Sequence, residues 1–331
     1  MVNLEGEAPR TLTRAALYEA NTSCGYCGNL GRMTAAMFKL KAYLGVARAP
    51  FLLLSVTLVA SGAAAARYAG DFSWNRTLLA LIGLVALHAA VNAFNEVSDM
   101  KTGIDLRTQR TPFSGGSGTL PSGLLRIQAA YAFAVALALV GLAVGIYFII
   151  QVGLVFLPIV ILGAICVLGY ADVFSRTGVG EIAAGLGLGL LPVIGAGMVQ
   201  SGQVSAPVVA AAVPAFFMTF NLLLLNEFPD EAADRTGGRR HLIILLGRPR
   251  AAMIYAAAAI LTPLSILAAV ALNALPPVSL LALIPSLLLV LPLRWAFRMP
   301  AQPAPIAALA ANVAWNLLTN IALAATLAIA A

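Results

Sequence analysis

Two short acid-rich segments contain the residues most able to do chemistry. The first runs from Asn92 to Asp105 and includes Asn95 and Asp99. Asn92, Asn95 and Asp99 are spaced by three and four residues, which places them on one face of a helix. Gly103 allows the chain to turn after that helix, so that Asp105 is directed at the same point. The spacing therefore predicts a group of oxygen ligands at a helix end.

The second segment repeats this arrangement with Asn226, Asp230 and Asp234, which are spaced by four and so line one helical face. Carboxylates that lie side by side at a membrane boundary repel one another, and a bound cation offsets that repulsion. Oxygen-only ligands, with no nearby His or Cys, suit Mg²⁺ rather than zinc or copper. Because Mg²⁺ commonly combines one or two carboxylates with phosphate oxygens, the segments predict metal ions that bridge one diphosphate.

Basic residues surround both segments. The arginine guanidinium matches phosphate oxygens in geometry, so these side chains would balance the charge of a diphosphate. Apolar walls around a diphosphate indicate an isoprenoid substrate, whose leaving group would expose an allylic cation in a chamber that excludes water. A simpler interpretation is that the acidic residues are solvated surface and the basic ones only set topology, but two matching segments favour a functional role. The basic residues are Arg107, Arg110, Arg176, Arg235, Arg239 and Arg240.

The elements that must position these residues are membrane-spanning helices. Of the 331 residues, 61% are hydrophobic and 10% are charged, whereas soluble domains have about 25% charged residues. This composition excludes a soluble enzyme, a secreted disulfide scaffold, a disordered chain and a nucleic-acid-binding module. The apolar residues fall in runs of about twenty, the length that crosses a bilayer. We predict an all-α polytopic fold with spans near 50–70, 77–97, 126–147, 153–171, 181–200, 205–226, 250–270, 275–293 and 304–330.

Loop charge orients the predicted bundle, because basic residues are retained on the cytoplasmic side. One face keeps only Arg67 and Arg76, and the other holds the remaining basic loop residues. This asymmetry predicts a multi-pass protein of the inner (cytoplasmic) membrane with its N-terminus and both acidic segments on the cytoplasmic side. We expect residues 41–331 to form the membrane domain and residues 1–40 to form a cytoplasmic extension that is peripheral or disordered.

At the acidic segments the chain resembles the UbiA-type family of intramembrane prenyltransferases, and the likeness covers roughly residues 40 to 331. In the first segment the spacing from Asp99 to Asp105 is longer than the spacing from Asn95 to Asp99, and this form resembles the motif of 1,4-dihydroxy-2-naphthoate polyprenyltransferases. The stretch from Tyr170 to Glu181 is similar to the family's middle motif. Glu96 departs from the Asp that many members have. The motif matches are Asn95, Asp99 and Asp105 in the first segment and Asn226, Asp230 and Asp234 in the second.

The resemblance implies about nine transmembrane helices in a ring around a central cavity, under a cytoplasmic cap. It implies Mg²⁺, as two ions, and transfer of a prenyl or polyprenyl group from an isoprenyl diphosphate to an aromatic acceptor. A menaquinone- or ubiquinone-type precursor is our first choice of acceptor. By resemblance the metal ligands would be Asn95, Asp99, Asp105, Asn226, Asp230 and Asp234, with Asp99, Asp105, Asp230 and Asp234 catalytic. The diphosphate would contact Tyr170, Arg110, Arg176, Arg239 and Arg240.

Other activities stay open from the sequence. A terpene cyclase, or a transferase that moves a prenyl phosphate onto a sugar donor, would share the same metal site. An ion-coupled transporter would place ionisable groups near the middle of the membrane and show paired repeats. The acidic segments instead lie at one boundary, which favours the enzyme.

Several further residues have two interpretations. The glycines of the segment 110–123 predict a loop that is either an anion nest over the phosphates or a flexible connector. Cys24 and Cys27 have metal or redox spacing, but two thiols are half a zinc site, so an incidental role is favoured. We expect His88 to be a satisfied interior histidine, with a proton-accepting role open, and His241 to be interfacial.

Overall fold

The computed structural model describes residues 37–331, and that part of the chain is helical with no strand. Nine helices in this range are long and apolar enough to cross a membrane, in agreement with the nine predicted spans. In chain order the helices are α1 (37–46), α2 (Ala49–Tyr68), α3 (Trp74–Thr102), α4 (Ile127–Val152), α5 (Leu154–Thr177), α6 (Gly180–Ser201), α7 (Ala206–Glu227), α8 (Glu231–Thr236), α9 (Leu242–Leu246), α10 (Arg248–Ala271), α11 (Pro277–Arg298) and α12 (Ile306–Ala330).

Helices α3 and α5 extend further than the apolar runs predict, into the polar region of the acidic segments. Helix α3 continues to Thr102 and is ended by Gly103, which has a φ of 77°. Helix α5 continues beyond its predicted end near residue 171 through a π-helical turn at Tyr170–Phe174. The polar residues of these last turns bond to each other, since Ser98 Oγ donates to Asp172 Oδ1 at 2.7 Å. Hydropathy falls at such residues although the helix does not end there.

Short segments cover one end of the bundle. Pro229 separates α7 from α8, because proline has no N–H to continue the helical hydrogen bonding. The loop after α3 reaches this region, and the backbone N–H of Gly115 donates to Asp230 Oδ2 at 2.9 Å. We call residues 103–126 and 228–247 together the cap. The cap holds both acidic segments at the same end of the molecule.

The helices pack closely on the inside and expose apolar side chains on the outside. A Cβ added to Gly62 of α2 would lie 2.3 Å from the carbonyl oxygen of Val193, and one on Gly189 would lie 2.6 Å from that of Ala215. Only glycine permits such contact between helix backbones. On the outer surface Ile150 is 73% exposed, as expected of a side chain that faces lipid. The chain is therefore an integral membrane protein.

Part of the sequence interpretation lies outside the described residues. The extension 1–40 falls almost entirely there, and so do Cys24 and Cys27. His88 is buried and shares a hydrogen bond of 2.9 Å with Ser55 Oγ through its Nδ1, as expected of an interior histidine.

Candidate active site

The end of α3 presents the first acidic segment as one group. Asn95 Nδ2 donates to Asp99 Oδ2, one turn further on, at 3.0 Å. After the turn at Gly103, the backbone N–H of Asp105 donates to the carbonyl oxygen of Asp99 at 3.4 Å. Asp99 and Asp105 are buried, and all three polar side chains line one cavity. The chain reversal thus aims Asp105 at the helix end.

The second acidic segment is divided between two helices rather than lying along one. Asn226 is in the last turn of α7, Asp230 precedes α8, and Asp234 lies within α8. The prediction of one continuous helical face is wrong because Pro229 interrupts the helix. The backbone N–H of Asp234 nevertheless donates to the carbonyl oxygen of Asp230 at 2.9 Å. All three side chains therefore still line the same cavity as the first segment.

Arg239 lies between the two segments and joins them. Its Nη2 donates to Asn95 Oδ1 at 2.7 Å and to Asp99 Oδ1 at 2.5 Å, and its Nε is 3.6 Å from Asp234 Oδ1. Burial lowers the pKa of the guanidinium, but the carboxylates of Asp99 and Asp234 outweigh burial and raise that pKa above its ordinary value. One buried cation therefore holds carboxylates from both segments together.

Asp230 is bound by the loop that follows α3. Thr108 Oγ1 donates to its Oδ1 at 2.6 Å, and the Gly115 N–H donates to its Oδ2. Burial raises the pKa of Asp230 to about 6, although these hydrogen bonds act in the opposite direction. The loop amide is thus already directed at a carboxylate of the protein.

Asp105 is the most unusual carboxyl group of the cap. Burial, reinforced by the negative charges of Glu96 and Asp99, raises its pKa to about 7. Its Oδ2 is buried and has no hydrogen-bond partner. Gly116, with a φ of 72°, lies directly against it, since a Cβ there would be 2.5 Å from Asp105 Oδ1. Because Gly116 has no side chain, it leaves space for this carboxyl group, and a larger residue at this position would collide with it.

Glu96 belongs to the first segment but does not line the cavity. It accepts hydrogen bonds from the N–H and the Oγ of Ser117, both at 2.7 Å, and its Oε1 is 3.8 Å from Arg48 Nε. Glu96 therefore fixes the glycine-rich loop, residues 110–123, from outside the cavity.

The residues around the cavity fit bound Mg²⁺. Every predicted metal ligand lines the cavity and offers oxygen, the donor that Mg²⁺ prefers. Buried polar atoms normally have a hydrogen-bond partner, whereas Asp105 Oδ2 and Asn226 Oδ1 have none, and a bound cation would provide one. Five carboxyl groups and two arginines, Arg48 and Arg239, line the cavity, so bound cations would offset the excess negative charge.

The residues predicted to contact diphosphate are not equally placed. Arg239 and Tyr170 line the cavity. Arg110 and Arg176 donate to backbone carbonyls of the cap at 3.1 Å and 3.4 Å, and Arg240 is exposed. These last three do not line the cavity. Arg110 and Arg176 therefore hold the cap rather than face the space beneath it.

The cavity has a polar roof and apolar walls. It measures about 200 Å³ and lies between α2, α3, α5, α6 and α7. A second, largely apolar cavity of about 450 Å³ lies beside it, between α3, α4, α5 and α6. The two cavities share the lining residues Leu84, Leu87, Gly163, Val167 and Gly187.

Sequence reasoning missed several residues of the site. Thr108 and Ser117 bind acidic side chains from the loop, but hydroxyl groups in a polar loop give no spacing signal. Arg48 lines the cavity with Phe51, and its guanidinium carbon lies 5.1 Å from that ring's centre. His241, expected at the membrane interface, is only 1% exposed and lies inside the cap.

Comparison with known sequences gives one family. The sequence model of the UbiA prenyltransferase family matches residues 53–329. A 1,4-dihydroxy-2-naphthoate octaprenyltransferase of Bacillus subtilis is 27% identical over 185 residues, which are 54% of this chain and 58% of that enzyme. The enzyme of the same name from Mycobacterium tuberculosis is 27% identical over 227 residues, 66% of this chain and 74% of that enzyme. The match to the Bacillus enzyme thus spans less than two thirds of its length.

Solved structures share the fold. A UbiA homolog from Aeropyrum pernix K1 superposes with a TM-score of 0.65 at 18% identity, covering 85% of this chain and 98% of the other. A UbiA homolog from Archaeoglobus fulgidus, bound to GPP and Mg²⁺, gives a TM-score of 0.59 at 16% identity, covering 86% and 99%. At this low sequence identity, the superpositions show that the proteins share the arrangement of helices.

Proposed function

The chain belongs to the UbiA prenyltransferase family, and from that premise we propose that it transfers a prenyl group from an isoprenyl diphosphate to an aromatic acceptor in an Mg²⁺-dependent reaction that releases diphosphate. We propose that the acceptor is an aromatic acid of the lipoquinone-precursor class. The observation that carries the proposal is the position of Arg239, which binds Asp99 and lies beside Asp234 at the polar roof of an apolar cavity.

Six oxygen ligands would hold the metal. The unpartnered oxygens of Asp105 and Asn226 support their assignment, and the Archaeoglobus homolog is bound to GPP and Mg²⁺. Bound Mg²⁺ would neutralise the negative charge that develops on the leaving diphosphate. The ligands are Asn95, Asp99, Asp105, Asn226, Asp230 and Asp234, which we propose hold two ions.

Arg239 and Tyr170 would hold the diphosphate within the roof. The Arg239 guanidinium is held in place by carboxylates, so it is oriented before the substrate binds. Departure of the diphosphate breaks the bond between prenyl C1 and oxygen, and both electrons leave with the diphosphate. The apolar walls beneath the roof keep water from the resulting allylic cation.

The prenyl chain would lie among the apolar walls. The central cavity alone is small, but it adjoins the larger side cavity through a wall that includes Gly163, where an added Cβ would meet no atom within 4 Å. A long chain would therefore continue past Gly163 into the side cavity. We propose that this passage accommodates polyprenyl donors.

The acceptor would bind near Arg48, which lines the cavity and lies 3.8 Å from Glu96. Arg48 is the basic residue that would pair with an acidic substituent, and Phe51 offers an aromatic surface beside it. The relatives named as 1,4-dihydroxy-2-naphthoate octaprenyltransferases support an acceptor of this type. An electron-rich ring carbon would bond to prenyl C1, and loss of the ring proton would restore aromaticity. His88 lines the same cavity and would accept that proton.

The site would open on the cytoplasmic side. The cap carries Arg107, Arg235 and Arg240, whereas the opposite end of the described bundle has only Arg67 and Arg76, in the terminal turns of α2 and α3. This asymmetry supports a cytoplasmic cap in the inner membrane.

The test is a reconstitution with defined substrates. Purified protein in detergent is incubated with Mg²⁺, prenyl diphosphates of several lengths and a panel of aromatic acids, and both diphosphate release and product mass are followed. We expect release to require Mg²⁺ and acceptor, and the product mass to equal the acceptor plus one prenyl group less the ring hydrogen that it replaces. Release without acceptor would indicate a cyclase, and no release with any donor would refute the proposal. Asp99→Asn and Asp230→Asn should each abolish turnover in folded protein.

A further inference from the structure

A second group of buried polar residues lies beneath the cap. Glu181 is in the first turn of α6, Glu227 is the last residue of α7, and His241 precedes α9. Each offers one ligand atom, and the three atoms lie within 4.8 Å of one another. The exposed fractions are 0% for Glu181, 6% for Glu227 and 1% for His241. We call these three residues the Glu–Glu–His cluster.

Most polar atoms of the cluster lack a partner. Glu181 Oε1 accepts from the backbone N–H of Leu242 at 2.7 Å, which orients that side chain. Glu181 Oε2, Glu227 Oε2 and both ring nitrogens of His241 are buried without a hydrogen bond. Buried polar groups normally have partners, and a buried charge normally has a counter-charge. The nearby cation Arg239 is already bonded to Asn95 and Asp99.

A shared proton does not account for this arrangement. A proton between the two carboxyl groups would satisfy one oxygen of each, but it would leave His241 Nδ1 without a partner and His241 Nε2 with only Asp234 Oδ2, at 3.4 Å. A divalent cation would bind all three side chains at once. Because one donor is an imidazole nitrogen, the set suits a transition metal such as zinc better than Mg²⁺, which prefers oxygen alone.

We propose that Glu181, Glu227 and His241 bind one divalent transition-metal ion, with zinc the best match to the donor set. Ligand atoms of tetrahedral zinc lie about 3.4 Å apart, since each is about 2.1 Å from the metal. Side-chain rotations that move each ligand atom by about 1 Å would bring the cluster from its present spacing to that geometry. Asp234 Oδ2 is 3.4 Å from His241 Nε2, so this zinc site would lie directly beside the proposed Mg²⁺ ligands.

The ion would have a positioning role. It would tie the cap segment at His241 to the ends of α6 and α7. Arg239 lies two residues before His241, so fixing His241 also fixes the guanidinium between Asp99 and Asp234. The proposal does not depend on prenyl transfer, because the cluster is complete without any substrate.

The test measures metal in the resting protein. Tag-free protein is purified in detergent from zinc-supplemented cells, dialysed into Mg²⁺ buffer, and its metals are quantified by mass spectrometry. We expect about one zinc per chain in the wild type and a loss of most of it in His241→Asn and in Glu227→Gln. The chain has two histidines, so His88→Asn is the matched control, and it should retain zinc.

Equal zinc contents in the wild type and in His241→Asn, whether both near one or both near zero, would overturn the proposal. Should the variants fail to fold, cobalt(II) added to the chelator-treated wild type gives a second readout. An intense visible spectrum typical of four-coordinate cobalt is expected, and its absence would overturn the proposal. A zinc-loaded protein that is inactive with every prenyl donor would instead refute the proposed function alone.

Discussion

Gly116→Ala should disable the site through contact with one carboxyl group. The new Cβ would lie 2.5 Å from Asp105 Oδ1, whereas ordinary contact begins at 3.4 Å. Asp105 must therefore move by roughly 1 Å, because Gly116 is fixed in the loop. Displacing a catalytic group by about 1 Å reduces rates by up to about 100-fold. We expect a loss of that order in diphosphate release, with a higher Mg²⁺ requirement.

Gly123→Ala is the matched control. Both glycines have a φ of 72°, so alanine costs each backbone a similar strain of about 1–2 kcal/mol. A Cβ on Gly123, however, would meet no atom within 4 Å. The two variants should therefore lose similar thermal stability, but only Gly116→Ala should lose activity.

The assay is steady-state diphosphate release across an Mg²⁺ titration, together with thermal unfolding in detergent. If Gly116→Ala and Gly123→Ala retained equal rates at every Mg²⁺ concentration, Asp105 would have no part in binding the metal. If only their stabilities differed, the contact with Asp105 would be structural.

Four other changes test separate parts of the reasoning. Arg239→Gln leaves buried carboxylates without a counter-charge, so the unfolding free energy of the metal-free protein should fall by about 3 kcal/mol. Added Mg²⁺ should restore part of that stability. Unfolding in detergent measures both effects, and an unchanged stability would contradict the prediction. Burial raises the pKa of Asp105 to about 7 and of Asp230 to about 6. Between about pH 4 and pH 7 the metal-free folded chain therefore binds more protons than the unfolded chain. The stability of the metal-free protein should fall as the pH rises through that window. Mg²⁺ displaces those protons, so its affinity, measured by calorimetry, should weaken as the pH drops from about 8 to about 6; a pH-independent affinity would exclude both groups as ligands. Gly163→Phe should block the passage between the cavities and lower turnover of long donors at least about tenfold relative to short ones, and an unchanged ratio in competition assays would place the chain elsewhere. Arg48→Gln should raise the KM of an acceptor that carries a carboxylate about tenfold but not that of an acceptor without one, and equal effects would remove Arg48 from the acceptor site.

The sequence alone determined the membrane architecture and indicated which residues offer oxygen donors. Nine apolar runs predict nine spans because hydropathy and length are local properties of each helix. The first acidic segment could be assigned to one helical face because spacings of three and four residues correspond to one turn. The proposal that this segment binds Mg²⁺ also came from residue type, since carboxylate and amide oxygens favour that ion.

Other features depended on contacts between distant segments, which leave no local pattern. Arg239 was one of six candidate arginines, and only packing placed it against Asn95 and Asp99, more than 130 residues earlier in the chain. From the sequence, the glycine-rich loop of residues 110–123 could be either an anion nest or a flexible connector. In the structure its amides are bonded to Asp230 and Glu96.

The Glu–Glu–His cluster is the clearest example of a feature that the sequence could not predict. Glu181, Glu227 and His241 lie on different helices and on the cap, and no spacing in the sequence relates them. The sequence even suggested that the acidic segments have no histidine nearby, yet His241 lies 3.4 Å from Asp234. A helix fixes the relative directions of residues within a few turns. Which helix ends meet, and which charges become buried together, is decided only when the bundle packs.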